Sequence, residues 1–271
     1  MIVNGKKKLK IGLALGAGAA RGLAHIGILE VLERNNISID IIAGTSIGSL
    51  IGGIYAAGVP LRYIKGFAYE LDWDHLTDLT FPRQGLIKGQ KLLSFLEIIT
   101  GSKDIEELNI PYAAIACDIE QGKHIVIKEG SLAGAIRAST AIPGIYAPFA
   151  HQGRLLVDGG VLDKVPVSTA YQMGADLVIA VDVGTKVVKR KTENVFDILF
   201  NTFDIMQKEL DKYRELKADV IIRPELDDCG SFELDQAAYC IKKGGKAAQE
   251  ALPVIKELIR ERIGWSKETV E

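Results

Sequence analysis

The residues of this chain best arranged to do chemistry are Gly44-Thr45-Ser46-Ile47-Gly48. A short apolar run, residues 39–43, precedes them, and an apolar helix-like stretch, residues 49–57, follows. Gly-x-Ser-x-Gly between a strand and a helix is the pattern of a nucleophile elbow. Such a turn forces the serine into an unusual backbone conformation, and Gly44 and Gly48 remove the Cβ atoms that would clash. The Ser46 hydroxyl would then stand above a sheet at the positive end of the following helix. The same residues also fit a plain glycine-rich turn with a serine helix cap.

A second glycine-rich turn, Gly16-Ala17-Gly18-Ala19-Ala20-Arg21-Gly22, follows the first strand. One reading is a dinucleotide-binding turn. The third glycine of that fingerprint is displaced by one residue, with Arg21 in its place, and Asp40 lies at the wrong end of the second strand to hold a ribose. The other reading is an oxyanion hole. Acyl transfer to serine builds negative charge on a carbonyl oxygen, and backbone N–H groups aimed at it lower the barrier by a few kcal/mol. Gly16, Ala17, Gly18 and Ala19 could supply such groups, and the N–H of Ile47 could add another.

A nucleophilic serine needs a base. A Ser–Asp/Glu–His order of triad residues cannot be built here, because the histidines are His25, His75, His124 and His151, and none follows Asp158. His151 sits in a polar turn and is expected to be exposed. Asp158-Gly159-Gly160 closes the apolar run Leu155-Leu156-Val157 and is the alternative. Gly159 and Gly160 let the backbone pass tightly beneath the carboxylate. In an apolar cleft a carboxylate gains the basicity it lacks in water. An ordinary Asp-Gly turn is the competing reading.

The elements that must position these groups read as an α/β pattern. A strand over 11–15, a turn, a helix over about 23–35, the strand before Ser46 and a helix to about 57 form a β-α-β-α opening, which implies a parallel sheet. Residues 72–89, with Trp73 and Phe81, read as a loop and a candidate lid. Helices are expected over 90–100, 131–139, 197–216 and 237–263, the last broken at Pro253. Strands are expected over 112–117, 124–127, 155–157, 177–183 and 220–222. The helix over 197–216 owes its amphipathic pattern to Leu199, Phe203, Met206, Leu210 and Tyr213. Without a repeat or linker, residues 1–271 read as one domain with a core over about 9–250.

A formal charge of −2 argues against a nucleic-acid partner. Lys6-Lys7-Lys8 and Lys10 read as a solvated lead-in, with weak contact to anionic lipid as the alternative. Cys117, Cys229 and Cys240 lack metal-ligand spacing, which suits buried thiols in a reducing compartment. No signal peptide and no uncharged apolar run of about 18 residues is visible. The expectation is a cytoplasmic protein, peripheral on a membrane at most.

Taken in order, Gly16–Gly22, Gly44–Gly48 and Asp158-Gly159-Gly160 resemble the motifs of the patatin-like phospholipase family, and in particular its bacterial members similar to the catalytic domain of neuropathy target esterase. Residues 22–27 and 138–143 resemble the same family, and the likeness covers about residues 9–250. The resemblance implies a three-layer α/β/α fold with a mainly parallel sheet. It implies a Ser46–Asp158 dyad acting on lipid acyl esters without cofactor or metal, and an oxyanion turn that Arg21 helps to fix. The family turn is commonly a run of glycines, and Ala17 and Ala19 interrupt it here. An alanine held at positive φ is strained by about 1 kcal/mol. A catalytically weak lipid- or nucleotide-binding regulatory protein is the alternative that this departure keeps open.

Overall fold

The computed structural model describes residues 2–3, 6–7, 9–70, 77–78, 85–184, 192, 195–211, 216–229 and 234–263. A short antiparallel hairpin, β1 (Ile2–Val3) with β2 (Lys6–Lys7), stands where a lysine-rich lead-in was expected. The remaining strands form one eight-stranded sheet. They are β3 (Ile11–Leu15), β4 (Ile41–Thr45), β5 (Tyr112–Asp118), β6 (Lys123–Ile127), β7 (Phe149–His151), β8 (Arg154–Asp158), β9 (Leu177–Val181) and β10 (Val220–Ile222). The described helices are α1 (Ala24–Arg34), α2 (Ile47–Ala56), α3 (Leu61–Glu70), α4 (Gln90–Thr100), α5 (Leu132–Ser139), α6 (Val167–Gln172), α7 (Val195–Asp211) and α8 (Ala237–Ile263).

Continuous apolar runs make the central strands, and β3, β4, β5 and β9 are buried at every residue. Burial on both faces is what a sheet between two helical layers requires. The pleat sends Leu13, Leu15, Ile42, Ile179 and Val181 to one face, where helices α1, α2 and α8 contribute to a single core. It sends Ala14, Ile41, Ala43, Val178 and Ala180 to the other, under Val167 and Ala170 of α6. Ala14 is in register with Ala43 on one side and Ala180 on the other, so α6 rests on a flat row of small side chains.

Strands β10, β9, β3, β4 and β5 are parallel neighbours in that order. β6, β7 and β8 join antiparallel beyond them. Ile115 pairs with Thr45 of β4 and with Val126 of β6, so those strands lie on opposite edges of β5. The next residue, Ala116, pairs with Ile125 of β6 and with Asp158 of β8. β8 therefore lies along the same edge of β5 as β4 but runs the other way. Its last residue, Asp158, takes the register position just beyond Thr45. The two strands enter one lane head-on, and the chain ends that carry Ser46 and Asp158 meet in the middle.

Three differences from the sequence reading have clear physical reasons. α3 was not anticipated, because only Leu61, Ile64 and Ala68 are buried while its aromatic residues face outward and blur the period. α6 is a six-residue helix, too short to show a period. α8 continues through Pro253 instead of breaking there, since the proline sits on the exposed side and removes a single N–H from the ladder. Trp73, His75 and Phe81 lie outside the described residues.

Candidate active site

Ser46 sits between the end of β4 and the start of α2 with φ 56° and ψ −125°. A non-glycine residue held there is strained by about 1–3 kcal/mol and persists only where its surroundings over-determine it. They do. The Ser46 N–H donates to Ser139 Oγ at 2.9 Å, and the Ser46 carbonyl accepts from Ser49 Oγ at 2.7 Å. Thr45 Oγ1 donates to the Asp163 carbonyl at 3.0 Å. A Cβ on Gly48 would stand 2.2 Å from the Leu15 carbonyl oxygen, and one on Gly44 would stand 2.5 Å from Ser49 Cα. The glycines are needed because the turn is pressed against β3 and against its own helix.

Asp158 is 2% exposed and Ser46 5%. The Gly160 N–H donates to Asp158 Oδ1 at 2.7 Å. Ser46 and Asp158 line the same small cavity, and the Ser46 hydroxyl acts on the carboxyl to lower its pKa. The chain leaves Asp158 so close to β5 that a Cβ on Gly159 would lie 2.3 Å from the Ile115 carbonyl oxygen. Burial pushes the Asp158 carboxyl up from 3.8 to about 7, and the Ser46 hydroxyl and the Gly160 N–H keep it from rising further. A base poised near neutrality, beside a hydroxyl in the same cavity, is suited to take its proton.

No described histidine lines a cavity shared with Ser46. His25 is fully buried under the first turn, where its Nε2–H donates to the Gly16 carbonyl at 2.8 Å. Burial pushes His25 down to about 4, so it is a neutral support for the turn. His124 stands 3.3 Å from Asp163, and His151 is half-buried in β7.

The first turn differs from expectation in its donors. The N–H of Gly16 donates to the Val181 carbonyl at 3.0 Å, and that of Ala17 to the Lys164 carbonyl at 2.9 Å. Neither is available for an oxyanion, nor for the pyrophosphate of the dinucleotide reading. The Gly18 and Ala19 N–H groups meet no acceptor among the described residues. Ile47, first in α2, has no acceptor within its helix. Arg21 is buried; its Nε donates to the Gly18 carbonyl at 3.3 Å and its guanidinium pairs with Asp204 of α7 at 3.0 Å. A trans peptide points its N–H opposite its carbonyl. By holding the Gly18 carbonyl, Arg21 turns the Ala19 N–H the other way. Ala19 has φ 50°, whereas Ala17 is not at positive φ, so only one of the two alanines is strained.

Ser46, Ala19 and Ile142 line two cavities at once. The larger encloses about 910 Å³, counting the part open to solvent. Its α2 wall is Ile47, Leu50, Ile51 and Ile54, one stripe of the helix, and Tyr146 closes it from the 142–149 segment. The smaller holds the charged and polar groups Asp158, Lys164, Asp204 and Gln207 beside Ala17, Ile142 and Phe203. Sequence reasoning missed Ser139 as the partner of the elbow and α7 as a wall of the site. Ser139 falls in the 138–143 segment that resembles the family, and α7 in the helix expected over 197–216, but nothing local says what either packs against, since each acts on residues far away in the chain. Among the described residues no group of three or more His, Cys, Asp or Glu could hold a metal ion.

A family profile described as patatin-like phospholipase matches residues 13–171, more than half the chain. The chain belongs to this family. The matched span holds the glycine-rich turn, the elbow and Asp158. An uncharacterized NTE family protein of Mycobacterium tuberculosis is 42% identical over 182 residues, 66% of this chain and 50% of that protein. The lysophospholipase NTE1 of Scheffersomyces stipitis is 37% identical over 209 residues, 73% of this chain and 14% of that protein. The chain thus spans about half the mycobacterial relative and a small part of the yeast one. The crystal structure of VipD from Legionella pneumophila superposes with a TM-score of 0.66 at 13% identity, covering 92% of this chain and 67% of that one. Its likeness is one of fold: the patatin arrangement of helices around a mixed, mainly parallel sheet.

Proposed function

We propose that the chain hydrolyses fatty acyl esters of lipids, as a phospholipase, lysophospholipase or esterase, through Ser46 and Asp158. The observation that carries this reading is a strained serine on a strand-to-helix turn, sharing a cavity with a buried carboxyl poised near neutrality and opening on a second, apolar cavity. Ser46 Oγ attacks the acyl carbonyl carbon as its proton passes to Asp158. The negative charge that develops on the carbonyl oxygen is met by the N–H groups of Gly18, Ala19 and Ile47. Collapse breaks the ester C–O bond, and Asp158 returns the proton to the departing alcohol. Water, losing its proton to Asp158, then attacks the acyl-enzyme; the bond from the acyl carbon to Ser46 Oγ breaks, Asp158 returns the proton to Ser46, and the fatty acid leaves. The reading includes peripheral contact with a lipid surface and requires no cofactor.

The apolar cavity suits the acyl chain. From Ser46 to Ile54 the lining face of α2 advances about 12 Å at 1.5 Å per residue. Each methylene moved there from water contributes about 0.8 kcal/mol.

Turnover of a chromogenic acyl ester by wild type, Ser46→Ala and Asp158→Asn tests the reading. Losing a member of such a unit lowers kcat by about 10⁴-fold or more. Turnover that survives both substitutions, or fluorophosphonate labelling that survives Ser46→Ala, refutes it.

A further inference from the structure

α7 turns apolar side chains to solvent as well as toward the site. Its Phe203, Asp204 and Gln207 line the smaller cavity beside Ser46 and Asp158. That inner side is fastened by polar bonds, Arg21 to Asp204 and Gln207 Nε2–H to the Val161 carbonyl. Val195, Ile198, Leu199, Ile205, Met206 and Leu210 fall within an arc of about 140°, at 100° per residue, which also holds Thr202 and Glu209. All six are exposed, Ile205 and Met206 at 61% and 60%. A surface helix ordinarily turns such a stripe toward the core.

The stripe is continuous with the site. Leu199 Cδ1 stands 3.1 Å from where a Cβ on Gly144 would lie, between Ile142 and Tyr146, which line the apolar cavity. Phe67 of α3 lines the same cavity and is 39% exposed, and Tyr63, one turn earlier, is 52% exposed. Apolar side chains therefore run outward to solvent from more than one wall of the cavity that ends at Ser46.

We propose that the outward stripe of α7 lies in the plane of a lipid surface, with the inner side of the same helix held against the catalytic centre. This rests on the reading of the chain as a lipid ester hydrolase. Continuity with the cavity selects the occupant: an acyl chain leaving a lipid assembly along this surface stays in apolar contact on its way to Ser46. The arc carries no lysine or arginine and one acidic residue, Glu209, so adhesion comes from apolar burial and needs no anionic lipid.

The test is co-sedimentation of the chain with phosphatidylcholine vesicles at low and high salt, using the Ser46→Ala background so that binding is read without turnover. Expected is salt-insensitive binding that falls tenfold or more in Ile205→Glu/Met206→Glu and in Ile198→Glu, but not in Val254→Glu on α8. In the otherwise wild-type chain, the α7 changes should cut hydrolysis of vesicle lipid while leaving a short, soluble acyl ester untouched. Undiminished vesicle binding by both α7 variants overturns the proposal. So does light scattering that shows a wild-type dimer split by these changes with vesicle binding intact, since a second copy then covers the stripe. Failure of wild type to turn over the soluble ester would count against the hydrolase reading instead, and the sedimentation result stands apart from it.

Discussion

Replacing Asp158 by asparagine should make the protein more stable at neutral pH, and the gain should itself depend on pH. The carboxyl is driven from 3.8 in the unfolded chain to about 7 in the fold, chiefly by burial. Below pH 4 the group is protonated in both states and has no electrostatic cost. Between about 4 and 7 the unfolded chain ionises while the fold keeps its proton, so folding takes up protons and stability falls as pH rises. Above about 7 the loss levels off near 4 kcal/mol, at 1.36 kcal/mol per pH unit. Asparagine has the same shape, does not titrate, and keeps an oxygen for the Gly160 N–H. Urea denaturation of both proteins from pH 4 to 8.5 measures this, because every other titration cancels in the difference. The variant should gain about 1.4 kcal/mol on wild type for each unit between pH 4 and 7, and no more beyond. Two curves that run parallel across the range would show that Asp158 is not buried against an apolar wall, and the argument for its basicity would go with them. The same group sets the pH profile of the proposed hydrolysis, whose kcat/KM should rise through an apparent pKa of about 7.

Ser46→Ala removes the hydroxyl that holds the Asp158 carboxyl down, so its pH-dependent loss of stability should extend to higher pH than in wild type, measured by the same denaturation series. Ser139→Ala leaves the buried Ser46 N–H without an acceptor; unfolding should show a loss of about 1–3 kcal/mol, and kcat on a soluble ester should fall with it. Ala19→Gly relieves the positive φ and should be neutral or stabilising in thermal denaturation. Ala17→Gly, with no strain to relieve, should destabilise by about 0.5–1 kcal/mol. In a series of acyl esters kcat/KM should climb about fourfold per methylene until the cavity is full, and Ile54→Phe should bring the plateau to shorter chains.

Much of the site is legible in neighbouring residues. The Gly44–Gly48 turn announces itself because the constraint is steric and acts within two residues of Ser46. The chain order of the histidines rules out a conventional triad order, and the Asp-Gly-Gly turn after an apolar strand is the group left to act as base. The helices at 24–34, 90–100 and 132–139 follow from apolar period and flanking turns. The orientation of α7 does not. Leu199, Phe203, Met206 and Leu210 mark an apolar pattern, but a pattern does not say which residues face inward; here the side with Phe203, Asp204 and Gln207 does, where Arg21 and Val161 offer the polar pair partners.

What this sequence determines alone is the conformation its short segments are bound to take: a strained serine turn, a glycine-rich loop, and apolar strands buried on two faces. Tertiary structure decides who meets whom. It brings β8 into the lane of β4 from the opposite direction, so that Asp158 lands beside Ser46. It also uses up the N–H groups of Gly16 and Ala17, while those of Gly18 and Ala19 meet no acceptor among the described residues. Backbone sterics act over a few residues and can be read from them. Register and hydrogen-bond partners depend on segments a hundred residues apart, and only the folded chain brings those together.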